Sequence, residues 1–318
     1  MQRIFCILLF YSVLGLSTAC QADITIDIPY EDIIYKGYDC AMIIPDIQNY
    51  VNDERYIRHL DSITDYYLRN TDIITNCFQV GDLTYNNSTP QWNIVRKRFF
   101  SKFNEYNKPI FCLGNHDYDA KRISNMPRDF NHSNCYCFTS EGFENYTKKI
   151  LLGKREYIVL VLEFAPRNDV LEWADKVIKE NSTTSFIILT HAFLNVEGKL
   201  FDTTDPLCSQ VDSPKLYFTG EDYVNDSKEI YDKIIYNNDN VEFVFCGHSL
   251  TPNYINYLAL PKSSGKHTHC IMVNFQHYRE GGNGNVGLLY AEDKSFRFRS
   301  FCTTTKQFGN FDFSFSLE

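Results

Sequence analysis

Five short apolar runs of the chain end on residues that can hold a metal ion. They finish as Asp46-Ile47-Gln48, Gly81-Asp82, Gly114-Asn115-His116-Asp117, Thr190-His191 and Gly247-His248. A lone strand-final aspartate is commonly a solvated end or a helix cap. A lone histidine on an apolar run is commonly a hydrogen-bonded core residue. Five such endings in one chain, several beside a glycine that permits close backbone approach, point instead to a shared site. Carboxylates and imidazoles with side-chain amides suit Mn, Fe or Zn better than Ca or Mg. An aspartate shared by two such ions would give the paired arrangement that binds phosphate-ester oxygens and turns a water into hydroxide near neutral pH. A separate protonated histidine could then assist the leaving oxygen.

The elements that must position these residues are legible as apolar, β-branched runs. DCAMIIPD, IITNCFQVGD, PIFCLGNHD, YIVLVLEF, SFIILTH, VEFVFCGH and HCIMVNFQ are short, and several are apolar throughout, as strands covered on both faces are. Helix-spaced stripes lie between them. Tyr56, Ile57, Leu60, Ile63 and Tyr67 form one; Trp92, Val95, Phe99 and Phe103 form a second, with Thr89 as N-cap and Pro90 at the first helical position. Val170, Leu171, Ala174 and Ile178 form a third, and Ile230 with Ile234 marks a fourth. After Met272 the pattern changes to closely spaced antiparallel strands, MVNFQHY, GLLYAE and SFRFRSF. Strand–helix alternation implies a layered α/β domain with its ligands at the carboxyl ends of the strands.

The chain has 318 residues, enough for one large domain, and a formal net charge of −9. That balance argues against a nucleic-acid backbone binder, which would need a basic face, so no nucleic-acid-binding surface is expected. The first 20 residues, MQRIFCILLFYSVLGLSTAC, read as a signal peptide: Arg3 supplies positive charge, and an apolar stretch too short to span a membrane precedes small residues. Its end offers two alternatives, a lipid anchor at Cys20 of the lipoprotein type or plain cleavage after Ala19 or Ala22. Either places the protein outside the cytoplasm, secreted, periplasmic or lipid-anchored at the cell surface. Of 11 cysteines, Cys40, Cys77, Cys112, Cys246 and Cys270 lie in apolar runs as small buried hydrophobes, while Cys135, Cys137 and Cys208 are disulfide candidates.

GD, GNHD, a strand-final histidine and GH, in this order, resemble the calcineurin-like metallophosphoesterases from about Tyr38 to Phe301. The resemblance implies a two-sheet αββα sandwich of the metallo-dependent phosphatase type over residues 38–302, followed by a C-terminal tail at 303–318. It implies two divalent metal ions, a phosphate-ester substrate and hydrolysis of phosphomono- or phosphodiesters. By the family pattern Asp82 bridges both ions, Asn115, His191 and His248 complete the second site, and Asp46 holds the first. His116 assists the leaving group, with Asp117 as its orienting partner. Two departures fall on the first site: Gln48 and Leu250 stand where most members carry histidine. A subset of secreted bacterial members shares the Asp-x-Gln-Asn-Tyr segment, which Asp46 to Tyr50 and the later Phe275-Gln276-His277-Tyr278 fit. Gln48 is then a weak oxygen ligand or a partner of a metal-bound water. Tyr85 sits at the GDxxY spacing of the purple acid phosphatases and is an alternative ligand, as are His267, His269 or His277 for the place of Leu250. Tyr118, Arg122 and Arg128 are available for phosphate contacts. The weakened first site also leaves open a catalytically weak or inactive binding protein on the same scaffold.

Overall fold

The computed structural model describes residues 38–318 except 105, 131–134, 140–141 and 219–222, so the signal peptide expected over residues 1–20 and the lipid anchor expected at Cys20 lie outside the described residues. In chain order the strands are β1 (Asp39–Ile44), β2 (Ile74–Gln79), β3 (Ile110–Phe111), β4 (Tyr136–Cys137), β5 (Tyr146–Leu152) and β6 (Arg155–Val161). They continue with β7 (Ser185–Leu189), β8 (Val241–Cys246), β9 (Ile255–Pro261), β10 (His267–Val273), β11 (Asn285–Glu292), β12 (Ser295–Cys302) and β13 (Gln307–Ser316). They form two mixed sheets. One has the order β13-β12-β11-β1-β2-β3 and the other β4-β5-β6-β7-β8-β10-β9.

The strand periodicity explains why two sheets stack. Along β1, Cys40, Met42 and Ile44 belong to one core cluster, while Ala41 and Ile43 belong to another. Successive side chains point to opposite faces, so a strand apolar on both must be covered on both. The first cluster packs against α1 (Gln48–Asn52), α2 (Ile57–Arg69) and α3 (Thr89–Arg98) through Tyr50, Leu60, Ile63, Trp92 and Val95. The second fills the space between the sheets, where Val159, Ile187 and Phe245 of β6, β7 and β8 meet Ile43 and Phe78. The opposite faces of β6 to β8 pack on α4 (Asn168–Glu180) and on α5 (Ser227–Ile230) through Leu160, Ile188, Leu171, Ile178 and Ile230. The result is the helix–sheet–sheet–helix sandwich expected from the strand–helix alternation.

Three local expectations change. HCIMV forms β10, which leaves the supposed meander and runs parallel to β8 in the other sheet. Its covered faces, buried from Thr268 to Val273, are those of an interior strand. Residues 303–318 are more than a tail: β13 pairs with β12 and seats Phe311, Phe313 and Phe315 against the inter-sheet core. Cys137 and Cys208 are thiols, the latter donating to the Leu200 carbonyl at 3.3 Å. No helix among the described residues is long and apolar enough to cross a membrane.

Parallel pairing of β1–β2, β2–β3, β6–β7, β7–β8 and β8–β10 puts their carboxyl ends on one edge of the sandwich. Every strand-end motif is thereby carried to the same rim.

Candidate metal centre

Asp46 follows β1, Asp82 follows β2, Asn115 and His116 follow β3, His191 follows β7 and His248 follows β8. Ligand atoms of Asp46, Asp82 and His191 lie within 4.8 Å of one another, and all three residues are buried. Two glycines permit this crowding. A Cβ at Gly114 would fall on Asp82 Oδ1, and one at Gly247 would fall on Asp46 Oδ1. Asp82 and His248 adopt left-handed backbone with φ of 53° and 68°, a conformation uncommon outside glycine and typical of held functional turns.

The hydrogen bonds assign the ring protons. His191 Nδ1 lies 2.7 Å from the Val80 carbonyl, which can only accept, so Nδ1 carries hydrogen and Nε2 faces the centre. His248 Nε2 lies 2.7 Å from the Asp212 carbonyl, which leaves Nδ1 turned inward. That Nδ1 is 2.9 Å from Asn115 Oδ1 and 3.3 Å from His191 Nε2. His191 Nε2 is also 3.3 Å from Asp82 Oδ1. Lone pairs from two imidazoles, an amide and a carboxylate thus converge with few protons among them. Such a set is repulsive unless a cation sits within it, and it is a borderline-metal donor set with its outer hydrogen bonds in place.

Electrostatics agrees. Burial alone would depress His191, but the Asp82 and Asp46 carboxylates beside it hold its pKa up to about 9. A proton on Nε2 then occupies the place a cation would take, and metal binding would displace it. Burial pushes the Asp46 carboxyl up to about 8, with His191 opposing and Asp82 adding. Burial also acts against ionised Asp82, yet the surrounding imidazoles, His191 first, hold it down to about 2. His248 is pushed down to about 4 by burial and by His191, so it remains a neutral donor.

The first-site half is built differently. Gln48 Nε2 donates to Asp82 Oδ2 at 3.0 Å and also to Gln276 Oε1, while Gln48 Oε1 is buried without a hydrogen-bond partner. Asp46 Oδ2 accepts from Asn274 Nδ2 at 2.9 Å, and the same amide reaches the His248 carbonyl at 2.9 Å. Side-chain amides therefore stand against both carboxylates on this side. Asn274 and Gln276 were missed as site residues. The signal was present, because β10 is a sixth apolar run that ends at this rim.

His116 is half-buried, and its backbone N–H donates to Asp82 Oδ1 at 3.0 Å. Its Nδ1 pairs with the Tyr85 carbonyl at 2.6 Å, which leaves Nε2 as the working nitrogen. The Tyr85 carbonyl, not Asp117, orients the ring. Both Asp117 oxygens are spent on the Leu83, Thr84 and Gly114 amides, at 3.0, 2.8 and 3.0 Å, and on the Thr84 hydroxyl at 2.9 Å. Asp117 locks the Asp82 turn to the Asn115 turn. Asp117→Ala would orphan three buried N–H groups and is expected to destabilise the fold by about 3–5 kcal/mol. Denaturant unfolding measures this; a loss under about 1 kcal/mol would contradict the role.

The Tyr85 side chain is 43% exposed, and its ring packs 5.3 Å from that of His116. His267 pairs with Glu318, His269 Nδ1 with the Tyr257 hydroxyl, and His277 is exposed; none joins the cluster among the described residues. Arg122 is committed to the Phe164 and Ala165 carbonyls and to Glu163, while Arg128 is exposed.

A family model for calcineurin-like phosphoesterases matches residues 42–252. A purple acid phosphatase from yellow lupin (Lupinus luteus) seeds aligns with a TM-score of 0.52 at 12% identity, over 89% of this chain and 54% of the lupin chain. This chain thus spans about half of that relative. A dimetal phosphatase from Danio rerio aligns with a TM-score of 0.52 at 13% identity, over 88% of this chain and 99% of the fish protein. At these identities the likeness is one of fold. No curated protein sequence matches the chain. The family match covers most of the chain, and the strand-end residues it depends on meet at one rim: the protein belongs to the calcineurin-like phosphoesterase family, hydrolases that act on phosphate esters.

Proposed function

We propose that the protein is a metal-dependent phosphoesterase acting outside the cytoplasm, with Asp82, Asn115, His191 and His248 holding the principal divalent cation. The observation that carries this reading is the convergence of His191 Nε2, His248 Nδ1, Asn115 Oδ1 and Asp82 Oδ1. A bound Mn, Fe or Zn ion supplies Lewis-acid neutralisation of phosphate oxygens and lowers the pKa of nearby water. The chain's own residues do the rest. Asp82 is anchored by the His116 amide, so its carboxylate is preoriented. Asn115 is placed beside it at the mouth of the neighbouring pocket. His116, fixed by the Tyr85 carbonyl, would hold a proton at Nε2 for the departing ester oxygen.

Asp46 and Gln48 form the remaining half. A second cation there requires Gln48 to withdraw its N–H from Asp82 and present the unpartnered Oε1 instead. This same arrangement favours a second reading, a phosphate-ester-binding protein with one metal and little turnover. Metal analysis of the purified protein and assays of para-nitrophenyl phosphate and its bis-ester with added Mn, Zn and Fe separate the two. We expect at least one metal per chain and turnover with one of these ions. Bound metal without turnover would favour the second reading, and neither metal nor turnover would end both. The extracytoplasmic placement rests on residues 1–20 and is tested by mass spectrometry of the mature N-terminus, where an unprocessed Met1 would refute it.

A further inference from the structure

Beside Asn115 the rim opens into a pocket of about 200 Å³ walled by Tyr118, Phe164, Tyr217 and Phe218, with Asp119 at its edge. The Phe164 ring lies 5.4 Å from that of His248 and 5.9 Å from that of His191, and Asn115 lines the pocket, so the pocket adjoins the candidate metal centre. Tyr217 meets Phe164 edge-on at 5.3 Å, and Phe218 stands 6.0 Å from it.

These walls are built in advance. The Arg122 guanidinium covers the Phe218 ring at 4.6 Å while donating to the Phe164 and Ala165 carbonyls, and it pairs with fully buried Glu163 at 3.1 Å. One ion pair therefore holds both aromatic walls. Tyr118, which lines the pocket, is only 8% exposed, and its hydroxyl is buried without a hydrogen-bond partner.

The composition says what fits. None of the lining residues is cationic, and Asp119 repels anions, so the pocket suits neither the transferred phosphate nor a further one. Aromatic walls favour a flat, uncharged ring through edge and face contacts. The volume is below the roughly 300–1,000 Å³ of ordinary ligand pockets, which favours one ring joined directly to the phosphate over a whole nucleoside. Resting on the phosphoesterase reading above, the geometry points to an aryl-ester subsite: the ester's organic group is a single aromatic ring held by Phe164, Tyr217 and Phe218.

The test compares phenylphosphonate, methylphosphonate and adenosine monophosphate by calorimetric titration of the Mn-loaded full chain. Phenylphosphonate is expected to bind about tenfold more tightly than methylphosphonate. Tyr217→Ala and Phe218→Ala should each erase most of that preference and leave methylphosphonate affinity within about twofold. Tyr217→Phe should retain it. Tyr217 is 46% exposed, so its truncation leaves the core intact. Equal binding of the two phosphonates, a preference that survives both alanine variants, or tighter binding of the nucleotide would overturn the subsite while leaving the metal-centre reading standing. Failure of every phosphonate to bind metal-loaded protein would overturn both.

Discussion

Replacing His116 with alanine is expected to lower kcat by about a hundredfold or more while leaving the metal content unchanged. The two halves of this result come from different atoms of the same residue. The backbone N–H of His116 steadies Asp82 Oδ1, and alanine keeps it. The imidazole is held by the Tyr85 carbonyl and packs on the Tyr85 ring. Its loss removes a proton donor and leaves the hydrogen bonds of the Asp82, His191 and His248 side chains in place. The effect should also depend on the ester: a leaving group of low pKa, such as nitrophenolate, needs less help than phenolate. The loss of rate should therefore be larger for phenyl phosphate than for para-nitrophenyl phosphate. A uniform loss on both esters, or a fall in bound metal, would show His116 to be structural instead.

The second large effect is on His191. His191→Ala should abolish tight metal binding and with it the activity, measured by metal analysis and by titration with Mn or Zn. It should also destabilise the metal-free protein by about 3–5 kcal/mol, because the ionised Asp82 carboxylate would be left buried with its nearest countercharge gone. His248→Ala makes the informative contrast. That imidazole is kept neutral by burial and by His191, so its removal should weaken metal binding yet cost the metal-free fold much less. Equal destabilisation by the two substitutions would mean that the charge assignment of the site is wrong. Chemical denaturation of chelated protein provides the comparison.

These effects differ because the two histidines, alike as sequence features, sit in different fields. Each ends an apolar run, and each was legible as a donor from that position alone. Only the assembled rim shows that His191 lies between two buried carboxylates and that His248 donates outward to a loop carbonyl. Protonation depends on neighbours many residues distant, and strand-end patterns do not record them.

Asp117 and Gln48 show the same division. The tetrapeptide Gly114 to Asp117 marks a functional turn, and the family resemblance implied that Asp117 orients His116. Folding brings the 82–84 turn within its reach, and three amides claim its oxygens before any imidazole can. For Gln48 the residue type left open an oxygen ligand or a hydrogen-bonding partner. Gln276, 228 residues later, supplies an acceptor that turns the amide nitrogen inward.

The sequence by itself determined the layered α/β class, the position of each donor at the end of a strand, and the family those motifs resemble. All are local properties, set by side-chain period and by where an apolar run stops. Tertiary structure decided which sheet β10 joins, that residues 307–316 close the first sheet's edge, which atom of each ligand faces inward, and that Phe164, Tyr217 and Phe218 wall a pocket beside the metal centre. Those outcomes depend on contacts between distant segments, where burial and pairing choose among options that local sequence leaves equal.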